Sequence, residues 1–272
     1  MTGPARFVVA AAVIALGAVL RAAPSNFIPP TNYVQSGQLP PAEAQAALEQ
    51  FRQSGPPGPE YLEFELQHLP RRGPKVVARG RLWASRSAQG TVIRIELDQG
   101  SHFLLQNGPR AQVWRWSLGS TAVMASTEAL VPGWELTAFD LQMPFLYWPQ
   151  PTGVTLSPIR GRPADVFLFT APASFAPLTG VRAYLDSEYH AAVQIESLAG
   201  PEQVLKTFSL LDLKKVSGQW LPQDLEVRDE ATRNKTRLSV TGAALGLDLE
   251  GTLFEPDGLG QSVAAPTSVQ RW

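Results

Sequence analysis

The chain has 272 residues, 44% of them hydrophobic and 17% charged, with a formal net charge of -1 and no cysteine. Lack of cysteine excludes disulfides, zinc–thiolate centres and cysteine nucleophiles. Near-neutral charge without a basic stripe lacks the electrostatic footprint of nucleic-acid binding, and bulk attraction to anionic membranes is not expected to dominate. A chain of this length can bury one sizeable core without cross-links.

In chain order, the first expected element is an export signal over residues 1–23. Arg6 precedes an apolar run from Phe7 to Leu20, and the small residues Ala22 and Ala23 follow. That order is the layout of a secretory signal peptide, and the run is short for a membrane span. Arg21, beside the expected cleavage region, keeps an uncleaved inner-membrane anchor as the alternative. No cysteine follows, so a thioacylated lipoprotein N-terminus is excluded.

Residues 24–42, rich in Pro, Ser, Asn and Gln, read as an extended linker or arm. Pro41 suits the first position of a helix. In the following AEAQAALEQFRQ, Ala44, Ala47, Leu48 and Phe51 recur on one face at helical spacing. This predicts a helix packed on a sheet, the alternative being a partner-binding helix.

From Tyr61 the period changes to two. In YLEFELQHL, Leu62, Phe64 and Leu66 alternate with Glu63, Glu65 and Gln67. VVARGRLWASR, TVIRIELD, HFLLQN and RAQVWRW follow at the spacing of an antiparallel meander. In TVIRIELD the apolar set is Ile93, Ile95 and Leu97, and Arg94 and Glu96 face the other way. Residues 135–149 break the pattern. Leu136, Phe139 or Asp140, Met143 and Tyr147 fall at helical steps interrupted by Pro144, predicting a short, kinked and weakly held segment laid across the sheet.

A second meander runs from Val154 to Leu249. Its clearest part is VLKTFSLLDLKKVSGQWLPQDLEVRDEATRNKTRLSV at 204–240. One strand ends near Val216, a second spans Trp220 to Val227 and a third spans Lys235 to Val240. Turns fall at Ser217–Gly218 and at 229–234. Residues 261–272 read as a flexible tail. The domain expected between the arm and this tail is 43–260.

This stretch resembles the C-terminal half of the outer-membrane lipoprotein-sorting proteins, the LolA/LolB-like superfamily of periplasmic carriers and receptors related to envelope-stress sensor subunits. The resemblance rests on VRAYLD at 181–186, Lys206 before Phe208, and the turn Gly218, Trp220, Pro222. Thr236 and a closing Phe254 and Leu259 complete it. GRLWASRSAQGTVIRIEL, LLQNG at 104–108 and VWRW at 113–116 extend it more loosely, so that it covers residues 60–260. It implies a mainly β protein with some α: a strongly curved antiparallel sheet, an open half-barrel of about ten or eleven strands with helices across the concave face.

The chemistry expected of such a chain is non-catalytic. His68, His102 and His190 lack paired metal-ligand spacing, and no H-E-x-x-H, P-loop, dinucleotide fingerprint or G-x-S-x-G elbow occurs. Asp186 to His190 reads as a hairpin turn. No cofactor and no metal is expected. Apolar walls suffice to hold an acyl chain, at roughly 0.8 kcal/mol per buried methylene. The candidate lining is Ile93, Ile95, Trp114, Trp116, Leu141, Phe145, Trp148, Phe167 and Phe169. These rings also suit an ordinary core, so the aromatic set leaves cleft and core both open. The resemblance implies an exported lipid or lipoprotein carrier or receptor in the periplasm, transferring acyl chains toward the outer membrane. An inner-membrane transporter or a regulatory membrane protein would be a further partner. A periplasmic sensor or scaffold that binds a protein partner is the alternative, and a secreted hydrolase the third reading.

Overall fold

The computed structural model describes residues 37–53, 58–87, 90–159, 162–186, 191–249 and 251–272. The expected export signal and most of the expected arm lie outside the described residues, as do positions 187–190 of the expected hairpin turn.

Strand alternation produces one very large antiparallel sheet. Its first half comprises β2 (Glu60–Leu69), β3 (Val76–Ser87), β4 (Gly90–Leu97), β5 (His102–Gln106), β6 (Gln112–Ser117) and β7 (Ser120–Met124). Its second half comprises β8 (Gly153–Ile159), β9 (Arg162–Thr170), β10 (Gly180–Asp186), β11 (Ala192–Leu198), β12 (Val204–Val216), β13 (Gln219–Asp229) and β14 (Lys235–Leu245). Two short strands, β1 (Gly37–Gln38) and β15 (Gln270–Arg271), pair with β8 and β14. The order is β1-β8-β9-β10-β11-β12-β13-β14-β2-β3-β4-β5-β6-β7, with β15 beside β14. The halves join where β14 pairs with β2, Lys235 opposite Leu69 and Leu238 opposite Leu66. The sheet is open, as expected, and among the described residues has fifteen strands rather than ten or eleven.

One hydrophobic core unites residues far apart in strand order. Phe167 and Phe169 of β9, Ile195 of β11, Leu62 and Phe64 of β2, Ile93 and Ile95 of β4 and Val113 of β6 all belong to it. Strands at opposite ends of the order share a core only if the sheet curls, as accumulated strand twist dictates. Helix α1 (Pro41–Gln53) lies in the concavity, with Ala44, Leu48 and Phe51 buried. Each fully buried large apolar side chain contributes about 1.5–3 kcal/mol.

The convex face holds a feature that alternation did not foretell. Residues 247–249 and 251–272 strap across the outside of the first half. Leu247, Leu249, Leu253, Phe254, Val263, Ala265 and Val269 pack on Tyr61, Trp83 and Ala244. Leu259 is buried against Val92 and Leu104, with Trp114, Trp116 and Phe254 alongside. A Cβ on Gly260 would lie 2.6 Å from Nε1 of Trp116, so only glycine allows the strap to pass there. Arg94 and Glu96 are on the outer face, as expected, yet are 1% and 3% exposed. Arg94 donates to Glu96 at 2.8 Å and to the strap carbonyls of Leu253, Gly258, Leu259 and Gln261. Glu96 also accepts from Arg81 at 2.7 Å, and Arg81 reaches the Val263 carbonyl.

Within the expected flexible tail, residues 270–272 make specific contacts with the sheet. Gln270 and Arg271 pair with β14 and Arg271 forks onto both carboxylate oxygens of Glu63 at 2.7 Å. Trp272 lies under the Lys214 ammonium. The sequence pattern missed this because the strap is aperiodic and its partners are remote in the chain.

Candidate functional site

The segment between β7 and β8 closes over the concave face. Thr137 opens a short helix, α2 (Ala138–Gln142), and its backbone N–H and hydroxyl both donate to Asp140, at 2.8 and 2.7 Å. Met143 then adopts a left-handed φ of 48° and ends the helix, and a 3-10 turn over Pro144–Tyr147 follows. Pro144 thus stands at the first position of a new turn, where its missing N–H sacrifices no bond. It does not weaken a continuous helix, contrary to expectation.

Nor is the segment weakly held, because its polar residues fasten it to the sheet. Lys206 of β12 donates to Asp140 Oδ2 at 3.0 Å and to the Glu135 carbonyl at 2.8 Å. Glu135 is buried, accepts from the Thr236 hydroxyl at 2.6 Å and lies 3.1 Å from Nδ1 of His68. Trp134 stacks on the His68 ring. Gln142 donates to the carbonyls of Gln106 and Gln112, at 2.9 and 3.0 Å. On the helix side, Arg52 donates to the Leu146 carbonyl and lies over the Tyr147 ring. The lid is thus pinned by directional bonds along its length, at Glu135, Asp140, Gln142 and Leu146, and its remaining side chains are apolar.

Much of that apolar surface is aromatic. Phe139, Phe145 and Trp148 of the lid region contact one another with centroids 6.1–6.4 Å apart. Phe145 reaches Phe169 of β9 at 5.5 Å, and Phe169 stacks on Phe167. Phe175, in the loop between β9 and β10, meets Phe139 at 5.6 Å and Trp148 at 5.2 Å. Trp148 and Phe175 are only half-buried and form the outer end of this stack.

Of the expected lining, Ile93, Ile95, Leu141, Phe145, Phe167 and Phe169 share the main core, and Trp148 packs against it. Trp114 and Trp116 do not join them. Val113 pairs with Leu105 and faces the core, so its neighbours in β6 must face outward. Trp116 stacks on His102 beneath the strap instead. Sequence reasoning missed the polar fasteners Glu135, Gln142 and Arg52. They are single residues in irregular or exposed settings, and only Lys206, placed before Phe208, carried any signal.

At the far end of the concave face, Glu60 is buried with both carboxylate oxygens lacking a hydrogen-bond partner. Burial pushes its pKa up to about 8, against the pull of the Arg86 charge. The Arg86 guanidinium is itself lowered to about 10 by burial, with Tyr147 and Glu60 opposing. No group of three or more His, Cys, Asp or Glu side chains among the described residues is placed to hold a metal.

Comparison with solved structures places this architecture. An outer membrane lipoprotein-sorting domain from Vibrio parahaemolyticus superposes with a TM-score of 0.65 at 16% identity, covering 81% of this chain and 96% of that one. A DUF1329 family protein from Desulfovibrio piger gives 0.65 at 12% identity, covering 80% and 96%. A LolA superfamily protein from Nitrosomonas europaea gives 0.61 at 14%, covering 81% and 100%. The fold is that of the LolA superfamily. A family model described as "Uncharacterized protein" matches residues 170–261. No curated protein matches this chain. The resemblance drawn from the 204–240 meander thus extends over most of the sheet, and the open half-barrel it implied is the observed architecture.

Proposed function

We propose that this chain is an exported, non-enzymatic carrier or receptor that holds acyl chains of a lipid or lipoprotein between the concave face and the lid. The observation that carries the reading is the aromatic stack running from half-buried Trp148 and Phe175 inward to Phe145, Phe169 and Phe167. Its walls are apolar throughout, which is what a hydrocarbon requires and what a polar substrate would not repay. The lid is a separate segment held to the sheet by discrete bonds along its length and by its buried apolar side chains, so lifting it breaks those contacts without unpairing any strand. The rings that pack the closed lid then become the walls of an open cleft. A leader over residues 1–23 and a periplasmic location fit this role. Among the described residues no helix is long and apolar enough to cross a membrane.

Solvent extraction of protein purified from its native envelope, followed by mass spectrometry, should recover acylated species. Uptake of a fluorescent fatty acid should fall at least tenfold in Trp148→Ala and Phe175→Ala, whose half-exposed rings leave the fold intact. Trp116→Ala, altered beneath the strap, should take up the probe as the parent does. Unchanged uptake in both Trp148→Ala and Phe175→Ala would exclude this cleft.

A further inference from the structure

The tip of the hairpin joining β2 to β3 has the sequence PRRGPKVV over residues 70–77. Arg71, Arg72 and Lys75 are exposed, and none makes an ion pair with any described residue. Their neighbours behave differently. Arg79 is paired with Glu65, Arg228 and Arg233 with Glu230, and Lys235 and Arg237 with Glu226. Asp229, across the adjacent hairpin, is occupied by its own turn, accepting from the N–H groups of Ala231 and Thr232. Glu65, Glu226, Glu230 and Asp229 are therefore engaged, and the three cations make no ion pair with any described residue, although the exposed Asp98 and Glu202 lie on the same rim. Val76 and Val77, directly beside them, are 48% and 41% exposed.

The tip is also held in place. Gly73 takes a φ of 115° between Pro70 and Pro74, and the Arg71 N–H donates to Asn234 Oδ1 at 3.0 Å. Antiparallel connectivity puts the turn at 118–119 and the loop at 171–179 on this same rim of the sheet. Leu118 there is fully exposed. The tip emerges beside the root of the lid, since Val76 pairs with His68, the residue that meets Glu135 and Trp134.

Isolated exposed valines are ordinary on protein surfaces. Apolar side chains contiguous with three unpaired cations on a pre-formed tip match something more specific. An anionic bilayer surface offers negative headgroups at one level and hydrocarbon just beneath. We propose that this rim, centred on Arg71, Arg72 and Lys75, docks the protein on an anionic phospholipid bilayer. A near-neutral total charge does not oppose this, because screening confines the attraction to charges within about 10 Å of the surface. The assignment stands apart from cargo binding, since the tip lies outside the aromatic stack.

The test is co-sedimentation of the full chain with phosphatidylcholine vesicles, with and without phosphatidylglycerol. Binding should require phosphatidylglycerol and weaken as salt rises. The triple variant Arg71→Ser, Arg72→Ser, Lys75→Ser should lose on the order of a hundredfold in affinity, about fivefold per cation. Val76→Ser with Val77→Ser should lose a smaller factor that persists at high salt. Arg237→Ser, whose cation is already paired, should bind as the parent does. Equal binding to pure phosphatidylcholine, or a triple variant that binds normally, overturns the proposal. So does a preference of the tip for soluble polyglutamate over vesicles, which would assign it to an acidic protein partner. Fatty-acid uptake in solution should be unchanged in the triple variant, so failure here and failure of the carrier reading are separable.

Discussion

The two halves of the sheet are built from the same alternating strands but covered differently. Strands β2 to β6 have the core on one face and the C-terminal strap on the other, so that β4 is buried along almost its entire length. Strands β10 to β13 have the core on one face and water on the other, with the outer surface given to partly exposed pairs such as Arg182–Glu196 and Arg228–Glu230. A strand buried on both faces opens only with global unfolding, whereas one buried on a single face opens more readily. The comparison therefore assigns the strapped half the role of a fixed wall. Any widening of the concave face falls to the lid and the uncovered half. Amide hydrogen exchange should be slower in β4 and β5 than in β10 and β11, and the reverse ranking would break this division.

The largest effect is expected at Arg94. Its removal leaves the buried Glu96 with Arg81 as its remaining cation and takes a donor from four strap carbonyls, those of Leu253 and Gln261 among them. Arg94→Ala should cost about 3–5 kcal/mol in denaturant titrations, the usual penalty for breaking a buried pair. A change under about 1 kcal/mol would show that the strap is ornamental.

Next in size is a pH effect at Glu60, on the concave side of the strapped half. Burial raises its folded pKa to about 8 from the ordinary glutamate value of 4.5. Between these values the folded state keeps a proton that the unfolded state has released, so stability falls as pH rises through this window and levels off above about 8. Glu60→Gln removes the titration. The variant should gain on the parent by up to about 1.4 kcal/mol per pH unit from pH 5 to 8, with water penetration reducing that slope. Parallel stability profiles for the two proteins would refute the assignment.

A smaller effect is expected at the lid. Lys206→Met removes the donor shared by Asp140 and the Glu135 carbonyl, yet Asp140 keeps its two bonds from Thr137. The loss should be about 1–3 kcal/mol, and exchange at residues 137–147 should accelerate more than in β4. Uniform acceleration throughout the core would mean that the lid does not open as a unit.

Much of the fold was legible because period two is a local property. Leu62, Phe64 and Leu66, and Ile93, Ile95 and Leu97, are buried on the concave face as alternation predicted, and α1 buries Ala44, Leu48 and Phe51. The strands read at 204–240 match β12, β13 and β14 to within a few residues. Alternation separates two faces but does not say what covers each. For Trp114 and Trp116 the deciding fact is the β5–β6 register, which lies between strands rather than within one. For Arg94 and Glu96 it is a strap about 160 residues further along the chain, whose sequence GTLFEPDGLG has no period. The run PRRGPK was visible throughout. Total charge hides this local excess, and its meaning depends on which carboxylates the neighbouring strands engage.

The smallest expected effect completes the comparison from the uncovered half. Arg182 donates to Glu196 at 2.8 Å, the same separation as between Arg94 and Glu96, so distance alone ranks the two pairs as equals. Exposure separates them, because the Arg182 side chain is 31% exposed and that of Arg94 is 1%. Water and salt compete for the outer pair, while the inner guanidinium has only protein oxygens to satisfy it. Arg182→Ala should therefore cost no more than about 1 kcal/mol, less still at high salt. The Arg94→Ala penalty should barely respond to salt. If Arg182→Ala proved as damaging as Arg94→Ala, and equally indifferent to salt, the outer face of β10 and β11 would have to be covered in solution. The division into a fixed wall and a movable one would then fail.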